Sequence, residues 1–407
     1  MIISAIVIFL FTYAGVALGR VPGLTLDRTG IALLGAIAMV VAGIVSIDEA
    51  VRSIDFPTII LLYALMVVSA QLRLGGFYTW SALRITVLLE NPRLFLLVLM
   101  VVSAVFSAIL ANDIVCLAFT PVLTWSLLRA HLHPLPFLIG LAVSTNIGSA
   151  ATVIGNPQNM LIGQIGQLDF AQFLFWCAPP SILALAGSYG LICLICRGDF
   201  HKVEGADPGV EWGGHWPDFN RWQSVKGLIA VTFMVVLFFS PLPRELSALA
   251  VAGFLLCSRK MKTRHILELV DWHLITLFCA LFVVIQGIES VHVLERIFAF
   301  LGTQGLDMGN LSFLTGVSAV MSNLFSNVPA TMLLTRFLDP SNPLEWYTLA
   351  LSSTFAGNLI VIGSIANLIV IEQAARHGVR ISFADHARVG IPVTLFSLCL
   401  LILWIYW

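Results

Sequence analysis

Long apolar runs recur along almost the whole chain of 407 residues, and they constrain the fold more than any other feature. A helix that crosses a bilayer needs about 20 mostly apolar residues. Only 11% of the residues are charged, whereas soluble domains carry about 25%. We therefore predict an all-α polytopic membrane protein with about ten transmembrane helices, at 2–19, 29–47, 56–72, 135–164, 171–196, 224–240, 244–257, 272–288, 347–373 and 387–406.

Two further apolar stretches, 94–129 and 309–338, are interrupted at their centres. Ala111-Asn112-Asp113 breaks the first stretch, and Ser326-Asn327-Val328-Pro329 breaks the second. Each half is about 15 residues long, which is short for a crossing. Irregular backbone at membrane depth is tolerated only where protein or water covers it. These stretches are therefore predicted to be re-entrant helical hairpins.

The chain contains an internal repeat whose matching residues lie roughly 215 positions apart. The matches occur in the same order in both halves, and they pair Asp55 with Asp271, Asn112 with Asn327, Ser144-Thr145 with Ser353-Thr354, Gly155 with Gly363, and Asn159 with Asn367. We predict a first repeat at 1–196, a cytoplasmic linker at 197–223 and a second repeat at 224–407. Because each half has five crossings and one hairpin, the second half enters from the opposite face, and the repeats are inverted.

The distribution of basic residues predicts the orientation. In this layout 17 of the 21 Lys and Arg residues fall on one side, and the other side has Arg52, Arg244, Arg296 and Arg336. The basic side of a membrane protein faces the cytoplasm. We therefore expect an inner-membrane protein with both termini outside the cytoplasm, a first hairpin that opens from the cytoplasm and a second that opens from outside.

Asp113 is the only carboxylate that this layout places deep in the membrane. Ionisable groups there are costly and usually functional. Loss of water favours the neutral form of a carboxyl group, so Asp113 is the candidate for proton coupling. The alternative is a structural role, in which Asp113 caps the second half-helix of the hairpin. The two roles are compatible.

Polar residues interrupt two other spans, and they complete the candidate substrate site. The run from Asn146 to Asn159 contains Gly155-Asn156-Pro157, which breaks a helix. The alternative for its Gly148, Ala151 and Thr152 is close helix packing through small residues. The candidate substrate-binding residues are Asn112, Asp113, Thr152, Gly155, Asn156, Asn159, Ser326, Asn327, Asn358, Ser364 and Asn367.

Several classes of function have no support in the sequence. A net charge of -1 provides no basic patch for nucleic acid. The nine histidines are expected in loops or at span ends, so no metal site is predicted, and the seven cysteines are interpreted as packing thiols. No nucleotide-binding or catalytic motif is present, which argues against an enzyme and against a bound cofactor. A channel remains an alternative, although two hairpins in one chain favour alternating access.

Two motifs carry a resemblance to a known superfamily. Ala111-Asn112-Asp113 followed by Thr120-Pro121 resembles the first hairpin of the arsenite-efflux (Ars-type) permeases. Gly155-Asn156-Pro157-Gln158-Asn159 and Ser326-Asn327-Val328 resemble the wider anion-permease pattern. The whole chain thus resembles the ion transporter superfamily, which also contains Nha D sodium/proton antiporters and divalent anion/sodium symporters. The resemblance implies a secondary transporter, often a homodimer, and in the Ars-type branch a cytoplasmic ATPase partner.

The chain departs from the symporters at the hairpin tips. Those proteins carry Ser-Asn-Thr, which helps to form sodium sites, whereas this chain has Ala-Asn-Asp and Ser-Asn-Val. The lost hydroxyls and the added acid favour protons over sodium. The expected function is proton-coupled efflux of arsenite or antimonite, and the alternative is ion-coupled transport of a dicarboxylate or an inorganic anion. No intramembrane Arg or Lys is expected beside the site, which favours a neutral oxyacid over a dianion.

Overall fold

The computed structural model describes residues 1–19, 25–200, 218–257, 261–293, 296, 303–304 and 307–407. These residues form 19 α-helices and no β-strand, which confirms the all-α prediction. The first half contains α1 (Ile2–Leu18), α2 (Arg28–Val41), α3 (Ile47–Ser53), α4 (Phe56–Leu74), α5 (Phe77–Ile85), α6 (Pro92–Ile109), α7 (Asn112–Arg129), α8 (Leu135–Ser149), α9 (Pro157–Ile165) and α10 (Phe170–Ile195). The second half contains α11 (Arg221–Phe238), α12 (Arg244–Leu256), α13 (Thr263–Leu267), α14 (Trp272–Glu289), α15 (Leu311–Phe325), α16 (Asn327–Leu334), α17 (Pro343–Ala356), α18 (Ile365–Arg376) and α19 (Phe383–Ile405).

Some of the predictions concern residues that the structure does not describe. Most of the linker, including Trp212 and Trp216, lies outside the described residues, and so do the basic residues Arg20, Lys202, Arg259 and Lys260. The orientation deduced from the basic residues therefore stays a prediction.

Six described helices are long and apolar enough to cross a membrane, namely α4, α6, α10, α11, α14 and α19. Four shorter apolar helices, α1, α2, α8 and α15, also coincide with predicted apolar segments. The prediction that each half of the first hairpin has about 15 residues was wrong, since α6 and α7 each have 18. In α6 the difference arises because Asn91 caps the helix and Pro92 occupies its first turn, so the helix starts before the apolar run. Helix α7 extends from the tip to Arg129, the predicted end of the stretch.

Both interrupted spans are broken helices. Residues 150–156 separate α8 from α9, and residues 357–364, which include a short 3₁₀ turn at Val361–Gly363, separate α17 from α18. The break before α9 was expected from Gly155-Asn156-Pro157. Close packing through small residues also occurs in this span, because a Cβ atom on Gly148 would clash with the carbonyl oxygen of Ala104 in α6.

The two halves pack in a reciprocal way. Helix α4 packs against α11 and α12 of the second half, and α14 packs against α1 and α2 of the first half. Within the halves, α6 packs against α8 through a hydrogen bond of 2.6 Å between the Ser103 and Ser144 hydroxyls. The Ser318 and Ser352 hydroxyls, 2.9 Å apart, join α15 to α17 in the same manner. We propose from these equivalent contacts that the halves are the inverted repeats that the sequence predicts.

Candidate functional site

The tips of the two hairpins lie against the broken helices. The Asn112 backbone N–H at the first tip donates to the Gly155 carbonyl at 3.2 Å. At the second tip, the Asn327 amide, oriented to satisfy its neighbours, donates to the Gly363 carbonyl at 3.0 Å. Gly155 and Gly363 are the matching glycines of the two repeats. Each tip therefore contacts the equivalent glycine of its own half.

Asn146 joins the two broken helices through side-chain hydrogen bonds. Its Nδ2 donates to Asn358 Oδ1 at 2.9 Å and to Asn367 Oδ1 at 3.2 Å. Its Oδ1 accepts from Ser364 Oγ at 2.9 Å and from Asn112 Nδ2 at 3.4 Å. All five side chains are buried. One asparagine thus connects the first tip with three predicted site residues of the second half.

The second half-helices begin in equivalent ways. Asn156 caps α9 by accepting from the Asn159 N–H at 2.8 Å, and Ser364 caps α18 by accepting from the Ala366 N–H at 3.2 Å. Asn159 Nδ2 donates to the carbonyls ten and seven residues before it, and Asn367 Nδ2 does the same. These asparagines supply partners for backbone carbonyls that the broken helix leaves free. Thr152 donates to the Ala108 carbonyl in α6.

A cavity of about 20 Å³ lies between the two tips. It is lined by Asn112, Asp113, Pro157, Gln158, Ser326, Asn327, Val328, Ser364 and Ile365. About one water molecule fills this volume, so a larger solute requires the tips to move apart. Asp113 is the only ionisable side chain in this lining, and Asn112 Oδ1 is buried without a protein partner among the described residues.

Asp113 occupies the first turn of α7 but does not cap it. The residue at the N-cap position is Ala111, and the helix has no side-chain cap. The prediction that Asp113 could cap this helix was therefore wrong, because Asp113 lies two residues past the N-cap position and its side chain lines the two cavities instead. Its position near the N-terminus still places a negative charge where the helix dipole favours one.

A second cavity of about 120 Å³ shares Asp113 and Pro157 with the small one. Helices α4, α7, α9, α14 and α18 surround it, and Arg73 and Asp271 lie on its wall. Arg73 lies in the last turn of α4, at the predicted end of a span, and it lines this second cavity but not the cavity between the tips.

Ser326 at the second tip has a strained backbone. Its φ of 73° and ψ of 157° belong to a region that is essentially restricted to glycine and costs about 1–3 kcal/mol for other residues. We expect Ser326→Gly to be more stable than Ser326→Ala by about 1 kcal/mol, because both lose the hydroxyl and only glycine loses the strain. Thermal unfolding of the two variants in detergent measures this difference, and equal midpoints would contradict it.

Sequence reasoning did not place Asn146, Gln158 and His386 among the site residues. When the Asn327 amide is oriented so that its oxygen and nitrogen both have hydrogen-bond partners, Gln158 Nε2 donates to Asn327 Oδ1 at 3.2 Å. His386 was expected at a span end, but it is buried in the first turn of α19, where its Nε2 lies 3.1 Å from the Asn358 carbonyl oxygen. Asn146 and Gln158 belong to the same polar run as Asn156, and that run was the signal that could have identified them.

Comparisons with known proteins agree on a transporter. A family model described as citrate transporter (CitMHS) matches residues 6–356. The chain is 28% identical over 447 residues to the silicon efflux transporter LSI3 of Oryza sativa subsp. japonica, covering 92% of this chain and 91% of the relative. It is 25% identical over 486 residues to a Dictyostelium discoideum protein with the transporter name arsB, covering 91% and 86%.

A solved structure shares the fold. The YdaH transporter of Alcanivorax borkumensis, whose topology is described as unusual, superposes with a TM-score of 0.56 at 12% sequence identity. The match covers 99% of this chain and 97% of that structure. At this identity the likeness concerns the fold alone, and it extends over the entire length.

Proposed function

The chain belongs to the citrate transporter (CitMHS) family of membrane transporters, and on that premise we propose that it exports a small uncharged oxyacid such as arsenous or antimonous acid in exchange for protons. As a family member it is a multi-pass membrane transporter of the anion-permease type and not an enzyme. The proposal concerns its substrate, its coupling ion, its direction and its place in the inner membrane.

The lining of the small cavity carries this proposal. Its polar groups are amides and hydroxyls, and its only ionisable group is an acid. The unpartnered Asn112 Oδ1 is an acceptor, so it favours a solute with hydroxyl groups to donate. A fully ionised dicarboxylate has no such donors and is repelled by an ionised Asp113. The names of the silicon-exporting and arsB relatives also support a small hydroxylated solute.

The packing around the site supports alternating access. Helix α9 packs against α4, and α16 packs against α14. The equivalent helices, α7 and α18, are arranged differently. Helix α7 is separated from α4 and α18 is separated from α14, and the large cavity occupies the space between them. We infer that the site is open toward the side of Arg73 and Asp271 and closed toward the other. In the proposed orientation the open side of the site faces the cytoplasm.

An ion pair lies on the closed side. Glu289 at the end of α14 and Arg336 in the turn after α16 are 3.1 Å apart, and both are partly buried. We expect Glu289→Gln or Arg336→Gln to weaken this closure. A cysteine introduced in place of the buried Met332 should then react several-fold faster, because it becomes more accessible. Labelling from outside with a membrane-impermeant thiol reagent, in a background lacking the exposed Cys257 and Cys399, measures the change.

The charge-swapped protein Glu289→Arg with Arg336→Glu is the matched control. It restores the pair with opposite polarity, so we expect labelling to return toward the level of the unmodified pair. Equal labelling in all of these variants would show that the pair does not hold the site closed.

Counterflow in proteoliposomes tests the proposed function. Vesicles loaded with arsenite, antimonite, silicic acid, succinate, sulfate or citrate are diluted into the labelled solute, with an imposed proton or sodium gradient. We expect exchange of arsenite and antimonite, and accumulation driven by the proton gradient. Exchange of citrate or succinate alone, driven by sodium, would contradict the proposal.

Transport of a carboxylate or inorganic anion is the second candidate. The description of the family model favours it, and so does Arg73 on the wall of the large cavity. A guanidinium group can bind a carboxylate through two parallel hydrogen bonds. The same counterflow series separates the candidates, because succinate and sulfate carry charge whereas arsenous acid does not at neutral pH.

A further inference from the structure

Arg244, the first residue of α12, contacts the end of α9 that lies away from the site. Its Nη2 donates to the Gly163 carbonyl in the last turn of α9 at 2.7 Å. The C-terminus of a helix carries a partial negative charge, which favours a cation there. The next residue, Glu245, accepts from Gln164 Nε2 at 3.2 Å. Because α9 begins at Pro157, which lines the tip cavity, these two contacts help to position a wall of the site.

Helix α12 has α2 as its equivalent in the first half, and both helices begin with an arginine. Arg28 lies 216 residues before Arg244, and the same offset relates the first residues of α4 and α14. Helix α18 is the equivalent of α9, and it begins 208 residues after α9. By that offset, Ile371 and Glu372 correspond to the two α9 residues that contact α12. The equivalent of the Arg244 contact would therefore join Arg28 to Ile371 and Glu372.

The contact at Arg28 is not made in this structure. Among the described residues, no hydrogen bond or ion pair joins Arg28 to α18, and its side chain lies beside Gly19 at the end of α1. Glu372 is exposed. The packing explains the difference, because α2 packs against α14, from which α18 is separated, whereas α12 packs against α4, which α9 contacts. The Arg28 contact is therefore open on the same side as the large cavity.

The residues at the two equivalent contacts differ in a complementary way. Glu372 in α18 corresponds to Gln164 in α9, and Thr29 in α2 corresponds to Glu245 in α12. Each contact therefore has one arginine and one carboxylate, although the carboxylate belongs to a different helix. A carboxylate can accept two parallel hydrogen bonds from a guanidinium group, and a threonine hydroxyl can donate to it as well. The residues of the Arg28 contact thus favour an ion pair once α18 is close enough.

We propose that Arg28 and Glu372 form an ion pair in the opposite state of the transporter, in which α18 packs against α14 and α9 separates from α4. The Arg244 contact with α9 breaks as this pair forms, so the two arginines set the balance between the two states. Both are positioning residues, because neither lines the tip cavity and each contacts a half-helix whose first turn does. The inference deepens the proposed function and rests on its alternating access.

Two cysteine reporters measure this balance in the purified full chain in detergent, in the background without Cys257 and Cys399. Met66→Cys lies in the lining of the large cavity and reports the open side, and Met332→Cys reports the closed side. The ratio of their rates of reaction with a soluble maleimide follows the ratio of the two states. We expect Arg244→Gln to slow the reaction of Met66→Cys and to speed that of Met332→Cys, changing the ratio by about fivefold or more. A general loosening of the structure would speed both reactions instead.

The proposed ion pair is tested in the Arg244→Gln protein, in which the opposite state is more populated. Adding Arg28→Gln or Glu372→Gln should return the ratio toward that of the unmodified protein by about twofold to fivefold, the usual range for a partly exposed pair. The charge-swapped combination, Arg28→Glu with Glu372→Arg, restores the pair with opposite polarity and should keep the ratio of Arg244→Gln alone. Arg380→Gln is the matched control, because Arg380 is exposed just beyond α18, and we expect it to leave the ratio unchanged.

Three results would each overturn the proposal. The first is a ratio that Arg244→Gln does not change or that changes because both reactions become faster. The second is a ratio that neither Arg28→Gln nor Glu372→Gln returns. The third is a charge-swapped protein that behaves like the sum of its two single changes, since the two residues would then act independently. Arsenite counterflow on the same proteins tests the proposed function separately, because the labelling needs no solute.

Discussion

Asp113→Asn is expected to abolish accumulation driven by a proton gradient while leaving solute exchange in place. The substitution keeps the shape and polarity of the side chain at the tip, but it removes the only ionisable group of the small cavity. Coupling between two ligands of a protein is typically about 1–3 kcal/mol, or 5- to 150-fold. We therefore expect proton-driven accumulation of arsenite to be lost, a change of at least about fivefold, and the pH dependence of exchange to disappear.

Asp271→Asn is the control for this experiment. Asp271 lines the large cavity with Asp113, but its Oδ1 caps α14, and an asparagine can make the same cap. We expect this variant to remain coupled to protons. If Asp113→Asn still accumulates arsenite under a proton gradient, or if only a sodium gradient drives transport in either protein, Asp113 is not the coupling residue.

Asn146→Ala is expected to have the largest effect on stability. The Asn146 side chain makes hydrogen bonds with Asn112, Asn358, Asn367 and Ser364, and none of these groups is exposed to solvent. A buried polar group that loses its partner costs about 1–3 kcal/mol. We therefore expect a loss of about 3 kcal/mol or more, with loss of exchange, because the two broken helices lose the hydrogen bonds that Asn146 makes between them.

Ser149→Ala provides the comparison for Asn146→Ala. Ser149 is equally buried and lies one helical turn further along α8, but its hydroxyl connects only the Asn146 carbonyl and Asn156 Nδ2. We expect its removal to cost about 1 kcal/mol. Thermal unfolding and arsenite counterflow on both variants measure the difference. Similar losses in the two variants would show that Asn146 does not have a central role in the site.

Hairpin tips and helix breaks could be predicted from sequence because they depend on local chemistry. Glycine, asparagine and proline in succession disfavour a continuous helix, so Gly155-Asn156-Pro157 identified the break before α9, whereas a single proline such as Pro121 is accommodated inside α7. Helix starts were less certain. Asn91 and Pro92 extended α6 beyond the apolar run, since capping residues are polar and hydropathy does not count them as part of a span.

The partners within the site could not be predicted in the same way. Asn146 occurs in the polar run that marked the site, but only the folded chain brings it within 2.9 Å of Asn358, which lies 212 residues further along. His386 reaches the Asn358 carbonyl for a similar reason, because Gly390 lets α19 approach that backbone closely. Contacts between distant segments depend on how helices cross, and a single sequence carries no record of that.

The sequence by itself determined the membrane class, the broken helices and the repeat of polar residues at the tips, because hydropathy and backbone chemistry act over a few neighbouring residues. The tertiary structure alone decided that Arg73 and Asp113 line the same cavity, and that Glu289 has a counter-ion on the opposite side of the site. The physical reason is that these features depend on the packing of α7 and α18 away from α4 and α14. In the alternative arrangement, α9 would be separated from α4 and α16 from α14. The sequence of each half is compatible with either arrangement.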